Sequence, residues 1–446
     1  MSKTLALAFA GVLGTLSTTA CNLDVPDLNN PGLDELQDTP TAASVTAACS
    51  GLLIGSRRNR SAENGFVSQL GILGREALVN DNADPRYTRE MVQGELSRSS
   101  PFGGNFWAAP YANIRLANVI LAGVDKIAEF SEAQRAGIRG FAHTMQALDL
   151  LEVIVTHDTN GAVIDTDQPL GAPLAKIVDR DATYAEIARL LDASVMDLAA
   201  GGDAFVFPLS SGYTGFNKPS SFLAFNRALR ARVAAYTQDY AGALTALGTS
   251  FLDDTSATIN FNTGVYYEFS TKSGDAANGL INPNIFVDPP VKAEAQSDNG
   301  IIDARFSGKV GVDKDMKLVF NKLYPSPTSP VANIRNEELI LLKAEALWFT
   351  GAHAQATTEL NLVRTKSGGL PAIAEPVTKD DFVDALLYER RYSLLFEGGH
   401  RWIDLRRFDR LLPLDGANDK RNVRYPIPLA ECDPRPNEPR CMLGSL

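Results

Sequence analysis

Several residue types that carry catalysis are scarce in this chain of 446 residues. It has four histidines, four cysteines and three tryptophans, and no two histidines stand at the spacing of a metal-binding pair. It also lacks a glycine-rich phosphate loop and a Gly-x-Ser-x-Gly nucleophile elbow. These absences argue against metal-dependent, nucleotide-dependent and serine-hydrolase chemistry, so no cofactor, metal or catalytic residue is predicted.

The chain also lacks a surplus of positive charge and a long apolar run. Its net charge of −11 becomes −12 when residues 1–20, whose only charged side chain is Lys3, are removed. This balance argues against nucleic acid or an anionic lipid surface as the main partner. The apolar run of residues 5–16 is shorter than the about 20 residues that a membrane-spanning helix needs, and no later segment qualifies.

The N-terminus has the order of segments found in an export signal. Lys3 precedes the apolar run, small residues follow up to Ala20, and Cys21 comes next, which predicts a signal peptide over residues 1–20. The cysteine resembles the lipidated cysteine of bacterial lipoproteins, although Thr18 stands where leucine is usual. The alternative is an ordinary cleaved signal that leaves Cys21 as a free or paired thiol. We favour the lipid anchor, with residues 21–37 as the lipidated N-terminus and flexible tether.

The remaining cysteines fit an exported protein, since export permits disulfides. Cys432 and Cys441 are close together in a proline-rich tail, CDPRPNEPRC, where a disulfide would close a small loop. Cys49 lies in an alanine-rich segment with a helical pattern and is predicted to be a small buried hydrophobe.

Most of the chain has the apolar spacing of helices. Helices are predicted over residues 41–55 and 63–77, and helical segments dominate residues 106–250 and 331–410. Two segments look like copies of one unit, LRARVAAYTQDYAGALTAL from Leu229 and LKAEALWFTGAHAQATTEL from Leu342. A bulky helix, a turn and a helix that opens on alanines are typical of tetratricopeptide repeats, which must stack to bury their apolar faces. Four such pairs are expected between residues 106 and 364.

Two regions interrupt this helical pattern. Residues 80–105 are polar and contain several Pro and Gly residues, and residues 251–330 are rich in Asn, Asp, Gly, Pro and aromatic residues. We interpret the first as a loop and the second as an irregular insertion between the third and fourth helix pairs. Long loops in a compact domain are usually functional.

Several segments together resemble the RagB/SusD family of outer-membrane nutrient-binding lipoproteins. The most specific is YERRYSLLFEGGHRWIDLRRF, from Tyr388 to Phe408, which follows the family signature with one extra glycine, Gly399. IRNEELILLKAEAL from Ile334, the W…Y..I..AN pattern from Trp107 and the closing YPIPLAEC from Tyr425 match in the right order. The lipoprotein-like start belongs to the same pattern.

The resemblance implies a mainly α fold, in which tetratricopeptide-like helix pairs form a scaffold for an irregular, loop-rich ligand-binding subdomain within a single domain, residues 38–446. It implies a non-catalytic protein, lipid-anchored in the outer membrane and facing the cell exterior. Such proteins capture an oligosaccharide or another nutrient and deliver it to a TonB-dependent transporter of the SusC type. Contact with the membrane would be through the lipid alone.

The resemblance also indicates where a ligand would bind. Family contacts come from the loop before the tryptophan-containing helix and from the irregular insertion, and sugars need aromatic faces together with amide, carboxylate or guanidinium partners. For each aromatic residue taken alone, packing in the core is the alternative, and Trp107, Trp348 and Trp402 are expected in the core. The candidate ligand-binding residues are Asp81, Asn82, Arg86, Tyr87, Phe102, Tyr266, Tyr267 and Phe286.

Three alternatives remain open at this point. The charged residues of the C-terminal motif, among them Glu389, Arg390 and Asp404, form either an active constellation or structural ion pairs, and the lack of a nucleophile favours the latter. The run NDNAD at residues 80–84 suits either a calcium ion or a solvated loop. The whole chain is either a nutrient-binding protein, a helical-repeat scaffold for a protein partner alone, or a glycan hydrolase.

Overall fold

The computed structural model describes residues 39–169, 171–411 and 421–446. The predicted signal peptide, Cys21 and the tether therefore lie outside the described residues. In the described ranges, no helix combines the length and the apolar character needed to cross a membrane.

Five of the long helices begin at a residue whose side chain caps them: Thr41, Ser131, Asp179, Asp239 and Thr378. Thr41 caps the first helix through a reciprocal pair of hydrogen bonds with Ser44, and Ser131 and Gln134 do the same for the longest one. The long helices are α1 (Ala42–Ser56), α4 (Ala108–Val124), α5 (Glu132–His157), α6 (Arg180–Ala200), α7 (Pro219–Tyr236), α8 (Tyr240–Leu247), α11 (Asn336–Phe349), α12 (His353–Lys366) and α13 (Lys379–Ser393).

These helices stack in chain order, each against its neighbours. α1 packs on α4, α4 on α5, and the series continues through α6, α7, α8, α11 and α12. This confirms the predicted helical-repeat scaffold, and the two repeat-like segments form the pairs α7–α8 and α11–α12. The first pair takes one helix, α1, from before residue 106, so the stack starts earlier in the chain than expected.

The predicted helix over residues 63–77 is shorter in the structure. α2 spans Phe66–Leu73, because a turn closed by the Gly65 amide and the Ala62 carbonyl precedes it. Arg75 then adopts a left-handed backbone conformation, with φ of 56°, which ends the helical path. Strand β1 follows at Ala77–Val79.

The remaining elements are short. The strands form two-stranded antiparallel pairs. Two of these pairs join the insertion to the rest of the chain, since β1 pairs with β5 and β10 pairs with β4. These elements are α3 (Arg86–Arg89), β2 (Ala162–Val163), β3 (Ile177–Val178), β4 (Gly264–Tyr267), β5 (Ile285–Val287), α9 (Pro289–Ala293), β6 (Ser297–Asp298), β7 (Ile301–Ile302), α10 (Ala304–Lys309), β8 (Gly311–Val312), β9 (Leu318–Val319), β10 (Val331–Arg335), α14 (His400–Arg407) and α15 (Leu429–Cys432).

The charged residues of the C-terminal motif form buried ion pairs. Glu389 accepts hydrogen bonds from Arg305 at 2.5 Å and from Arg364 at 2.9 Å, and Arg390 donates to Asp404 at 2.6 Å. Glu389, Arg390 and Asp404 are each 1% exposed. The cluster therefore joins helices inside the protein and presents no open surface to a substrate.

The extra glycine of the motif has a physical reason. Gly399 precedes α14 with φ of 72°, and a Cβ atom there would lie 2.4 Å from the side chain of Leu70. The left-handed conformation and this close approach between α14 and α2 both require glycine.

The cysteines and tryptophans are buried in the described chain. Cys432 and Cys441 are joined by a disulfide, and Cys49 is a buried free thiol. Trp107, Trp348 and Trp402 are each at most 5% exposed.

Candidate ligand-binding surface

Two chain segments meet along one line at the surface. Residues 57–65 connect α1 to α2, and residues 266–286 run from β4 to β5; we call the surface that they form together the seam. In the middle of the seam, Gly279 packs so closely against Ser61 that a Cβ atom would lie 2.8 Å from the Ser61 carbonyl oxygen. Each end of the seam carries residues predicted to bind ligand.

The first end of the seam is a groove of about 470 Å³ between the end of α1 and β4. Arg57 lies across it, donating to the carbonyl oxygen of Glu268 at 2.5 Å and pairing with Asp275. Tyr266 lines the groove and is half-buried, with its hydroxyl donating to the Asn262 carbonyl at 2.5 Å. Burial raises the pKa of Tyr266 to about 12, so this hydroxyl stays protonated at neutral pH.

The alternation of strand β4 separates the two adjacent tyrosines. Successive side chains of a strand point to opposite faces, so Tyr266 faces the groove while Tyr267 turns inward and is 7% exposed. The Tyr267 hydroxyl accepts a hydrogen bond from Asn333 Nδ2 at 2.9 Å, and its ring lies 4.7 Å from the guanidinium carbon of Arg60. Tyr267 is thus a packing residue in this structure, whereas Tyr266 is open to a ligand.

The second end of the seam is a polar patch beside the β1–β5 pair. Glu63 accepts hydrogen bonds from Asn282 Nδ2 at 2.7 Å and from Asn284 Nδ2 at 3.2 Å. Phe286 lies opposite Leu78 in the strand pair and is half-buried, and the Lys317 ammonium lies 4.7 Å from its ring centroid. Aromatic, amide, carboxylate and ammonium groups are therefore present together.

The polar residues predicted in the first loop adjoin this patch, since β1 leads directly into them. Asn80 donates its amide to the Asn284 carbonyl at 2.9 Å. Asp81 accepts from the Ala83 amide at 2.8 Å, and Asn82 is exposed. Arg86 forms a two-bond pair with Asp84, at 2.8 and 2.7 Å, and these hydrogen bonds hold the pKa of Asp84 below its ordinary value.

The two aromatic residues of the loop are packed rather than open. Tyr87 meets Phe102 edge to face with ring centroids 4.8 Å apart, and the two residues are 5% and 1% exposed. The guanidinium carbon of Arg86 lies 5.2 Å from the Phe102 centroid. Their ring faces are closed to a sugar, but the Tyr87 hydroxyl has no hydrogen-bond partner among the described residues. Burial raises the pKa of Tyr87, and the nearby carboxylates of Glu63, Asp84 and Asp81 raise it further.

The structure thus regroups the predicted residues. Asp81, Asn82, Arg86, Tyr87 and Phe102 lie with Phe286 at the patch end of the seam, while Tyr266 faces the groove and Tyr267 packs behind it. Sequence reasoning missed the segment that joins the two ends, with Arg57, Glu63 and the amides of Asn282 and Asn284. The available signal was RRNRSAEN at residues 57–64, a polar run between two helical patterns.

The run at residues 80–84 shows no ion-binding geometry. Asp81 closes a local turn, and Asp84 is engaged by Arg86. Across the described ranges, no three His, Cys, Asp or Glu side chains converge as metal ligands would.

Comparisons with known proteins identify similar sequences and similar folds. Residues 327–432 match the model of the SusD family. A SusD-like protein of Formosa agariphila, P38, is 29% identical over 165 residues, which are 32% of this chain and 32% of that protein. The chain therefore matches about a third of the length of this relative.

Two solved structures align with almost the whole described chain. A SusD-like carbohydrate-binding protein of Bacteroides fragilis aligns with 91% of this chain and 100% of its own, at 15% identity and a TM-score of 0.71. A laminarin-binding SusD-like protein aligns with 88% of this chain and 98% of its own, at 17% identity and a TM-score of 0.62. At these identities the likeness establishes the fold.

The stacked helix pairs and the irregular insertion define a tetratricopeptide-like helical-repeat protein with a loop-built subdomain. The family match falls on the fourth helix pair and the C-terminal motif, which are the segments that carry the resemblance in sequence. Residues 327–432 thus resemble the SusD family, and the fold of the whole described chain is similar to that of solved SusD-like proteins.

Proposed function

We propose that this protein binds an oligosaccharide along the seam. The observation that carries the proposal is the groove of about 470 Å³ at Tyr266, with a polar patch at the other end of the same seam. Its volume lies within the range of about 300–1,000 Å³ typical of small-molecule sites. A sugar ring can pack on the exposed part of Tyr266 or Phe286, while its hydroxyls meet amide and carboxylate groups.

The charges of the seam favour a ligand without a strong net charge. Arg57 and Arg86 supply positive charge, and Glu63, Asp81 and Asp275 supply negative charge within the same surface. Mixed donors and acceptors suit the hydroxyls of a neutral glycan better than a polyanion. The solved relatives described as carbohydrate-binding and laminarin-binding support the same class of ligand.

In this proposal the protein is a non-catalytic lipoprotein. A lipid on Cys21 anchors it to the outer membrane with the seam facing the cell exterior, and residues 22–37 form the tether. It passes the bound oligosaccharide to a TonB-dependent SusC-like transporter. The burial of the arginine–carboxylate cluster supports a role without catalysis, because none of its acids is open to a substrate.

Binding is tested by screening the purified mature protein against an oligosaccharide panel and measuring affinities by calorimetry. We expect saturable binding, weakened about tenfold or more, or about 1.4 kcal/mol, by Tyr266→Ala and by Asn284→Ala. Tyr240→Ala is the matched control, because Tyr240 is also half-buried but lies on α8, stacked on Phe349 at 4.6 Å. No binding to any glycan, or equal loss in the control, would overturn the proposal, and turnover of a bound glycan would exclude the non-catalytic role.

The anchor and the partner need separate tests in cells. Palmitate labelling should mark the wild-type protein and not Cys21→Ala, which should be released from the membrane fraction. Affinity purification from gently solubilised membranes should recover a TonB-dependent transporter. An unlabelled wild-type protein would remove the anchor, and recovery without any transporter would remove the delivery role while leaving glycan binding intact.

A further inference from the structure

A second cleft lies between α6, α7 and α14 and shares no lining residue with the seam. Its volume is about 610 Å³, which is again in the range of small-molecule sites. Four arginines line it: Arg180, Arg230, Arg406 and Arg407. We call it the arginine cleft.

One tyrosine of the cleft has an unused hydroxyl. Tyr184 lines the arginine cleft and is 6% exposed, yet its hydroxyl forms no hydrogen bond with any residue in the described ranges. This oxygen is not among the fully buried polar atoms that lack a partner, so it reaches the cleft, where it is available to a ligand or to water. The half-buried Tyr236 beside it also has a hydroxyl without a partner among the described residues.

Two of the arginines are only loosely paired. Arg180 lies 3.5 Å from Asp158 and 3.3 Å from Asp181, and Arg230 lies 3.2 Å from Asp192 and 3.8 Å from Asp239. Most of these separations exceed those of good N–H···O hydrogen bonds. Each guanidinium has five N–H groups, so both retain donors that a ligand can use.

The other two arginines are held in place by the fold. Arg406 donates to the carbonyl oxygens of Val423 at 2.9 Å and Val155 at 2.7 Å. Arg407 donates to the Ala235 carbonyl at 2.7 Å, is paired with Glu345 and Asp404, and lies 4.6 Å from the Tyr236 ring. Arg406 and Arg407 therefore form a fixed wall of the cleft, because these hydrogen bonds already use several of their N–H groups.

Carboxylates around the cleft offset the charge of its arginines. The four lining arginines face Asp158, Asp181 and Asp239 in the lining. Arg230 is also paired with Asp192, and Arg407 with Glu345 and Asp404, so an anion would be bound by the spare N–H groups of Arg180 and Arg230 rather than by a net positive charge. The Asp181 side chain is 86% exposed, so water screens it. The first turn of α6, a helix of 21 residues, adds the positive end of its dipole.

We propose that the arginine cleft binds a small hydroxylated carboxylate, of the kind presented by a hexuronate. The forks of Arg180 and Arg230 match the two oxygens of a carboxylate. The hydroxyls of Tyr184 and Thr237 and the carboxylate of Asp239 supply donors and acceptors for the hydroxyls of a sugar. A simple inorganic anion would leave these polar groups unused.

The proposal is tested by calorimetry on the full-length mature protein with galacturonate as the probe. Galactose, which lacks the carboxylate, and acetate, which lacks the hydroxyls, are the comparison ligands. A galacturonate disaccharide then separates a free sugar acid from a unit within a glycan. We expect saturable galacturonate binding at least about tenfold tighter than either comparison ligand.

Variants of the cleft locate this binding. Arg180→Gln combined with Arg230→Gln should weaken galacturonate about tenfold or more, and Tyr184→Phe, which keeps the packing, about threefold to tenfold. Arg189→Gln is the control, because Arg189 lies on α6 outside the cleft with its side chain 62% exposed. Equal affinity for galactose, no saturable binding, or an equal effect of Arg189→Gln would overturn the proposal. Tyr266→Ala should leave galacturonate binding unchanged, since the seam is a separate site.

Discussion

Glu76 carries a carboxyl group into the core beside β1. It is 1% exposed, and its carbonyl oxygen accepts the Asp288 amide at 3.0 Å, joining β1 to the end of β5. Burial raises the pKa of Glu76 to about 8, although Arg391, Arg401 and Lys309 lower it without forming a salt bridge in the described chain. At neutral pH the group is therefore mostly protonated in the folded state.

Glu76→Gln should flatten the pH dependence of stability. Because the folded-state pKa of Glu76 lies above the unfolded value of 4.5, the folded state binds the proton more tightly. This contribution to stability is complete below about pH 4.5 and is lost as the pH rises to about 8, at up to about 1.4 kcal/mol per pH unit. Glutamine cannot ionise, so we expect the variant to lose this slope and to exceed the wild type in stability at high pH.

Urea unfolding at a series of pH values between about 5 and 9 measures this difference. The exposed Glu129 provides the control variant, Glu129→Gln, which should keep the wild-type slope. A Glu76→Gln protein with an unchanged slope would show that the carboxyl group is ionised in the folded state.

Single residues were predictable where their role is local. The capping side chain of Ser131 and the buried thiol of Cys49 follow from a few neighbouring positions. The burial of Glu76 does not, because it depends on Arg391 and Arg401, more than 300 residues away. The same holds for Tyr266 and Tyr267, whose different environments depend on the pairing of β4 with β10.

At the scale of elements, the C-terminal tail holds the loop of residues 80–105, which carries the candidate residues from Asp81 to Phe102. Asn422 donates through Nδ2 to the carbonyl oxygens of Glu90 at 3.1 Å and Gly94 at 3.0 Å, and its Oδ1 accepts the Leu96 amide at 3.1 Å. Arg98 donates to the Cys441 carbonyl, within the tail closed by the disulfide. The loop that carries Asp81 to Phe102 is thus fastened by a segment more than 300 residues later.

Asn422→Ala should loosen this loop while the helices stay intact. The substitution removes the donor to the Glu90 and Gly94 carbonyls and one of the two acceptors of the Leu96 amide, the other being Ser445 Oγ at 3.0 Å, at a cost of about 1–3 kcal/mol. We expect amide hydrogen exchange in residues 90–98 to accelerate about tenfold or more. Asn361→Ala is the matched control, because Asn361 bonds the backbone of Ile373 in both directions in the same way. The Asn361→Ala variant should accelerate exchange near residue 373 instead. An unchanged exchange rate in residues 90–98 of Asn422→Ala would show that Asn422 does not hold the loop.

The helices were largely predictable as elements, and the strands were not. Several long helices have a side-chain cap and a repeated apolar spacing, as in α5, which the sequence displays directly. Strands β1 and β5 have three residues each, too few to show an alternating pattern. Their pairing, which brings Phe286 beside the candidate loop, is decided by the packed structure.

At the scale of the whole molecule, three alanines set the distance between the third and fourth helix pairs. Ala234 on α7, Ala243 on α8 and Ala346 on α11 are fully buried and form a contact cluster. Small side chains let these helices approach closely. Residues 251–330, the insertion, follow α8 and precede α11, so the chain leaves the helical stack after α8 and rejoins it at α11.

Ala346→Leu should therefore destabilise the protein as a whole. The larger side chain overfills a closely packed junction, at a cost of about 1–3 kcal/mol or more. Urea unfolding measures the change as a lower midpoint. Ala241→Leu, at an exposed position of α8, is the control and should change stability little. Equal midpoints for Ala346→Leu and the wild type would show that the junction has free space.

The pairing of Ala77 with Val287 has a consequence for the newly made chain. Each helix pair can form soon after its residues emerge, because its contacts are close in sequence. The seam needs segments that lie on either side of α4 to α8 in the chain, and the hydrogen bonds of Asn422 need the C-terminal tail. A truncated or half-folded copy would keep much of its helical content and yet have no finished binding surface. Under the proposed function, glycan affinity therefore reports that a molecule is completely folded, whereas a spectroscopic measure of helix content does not.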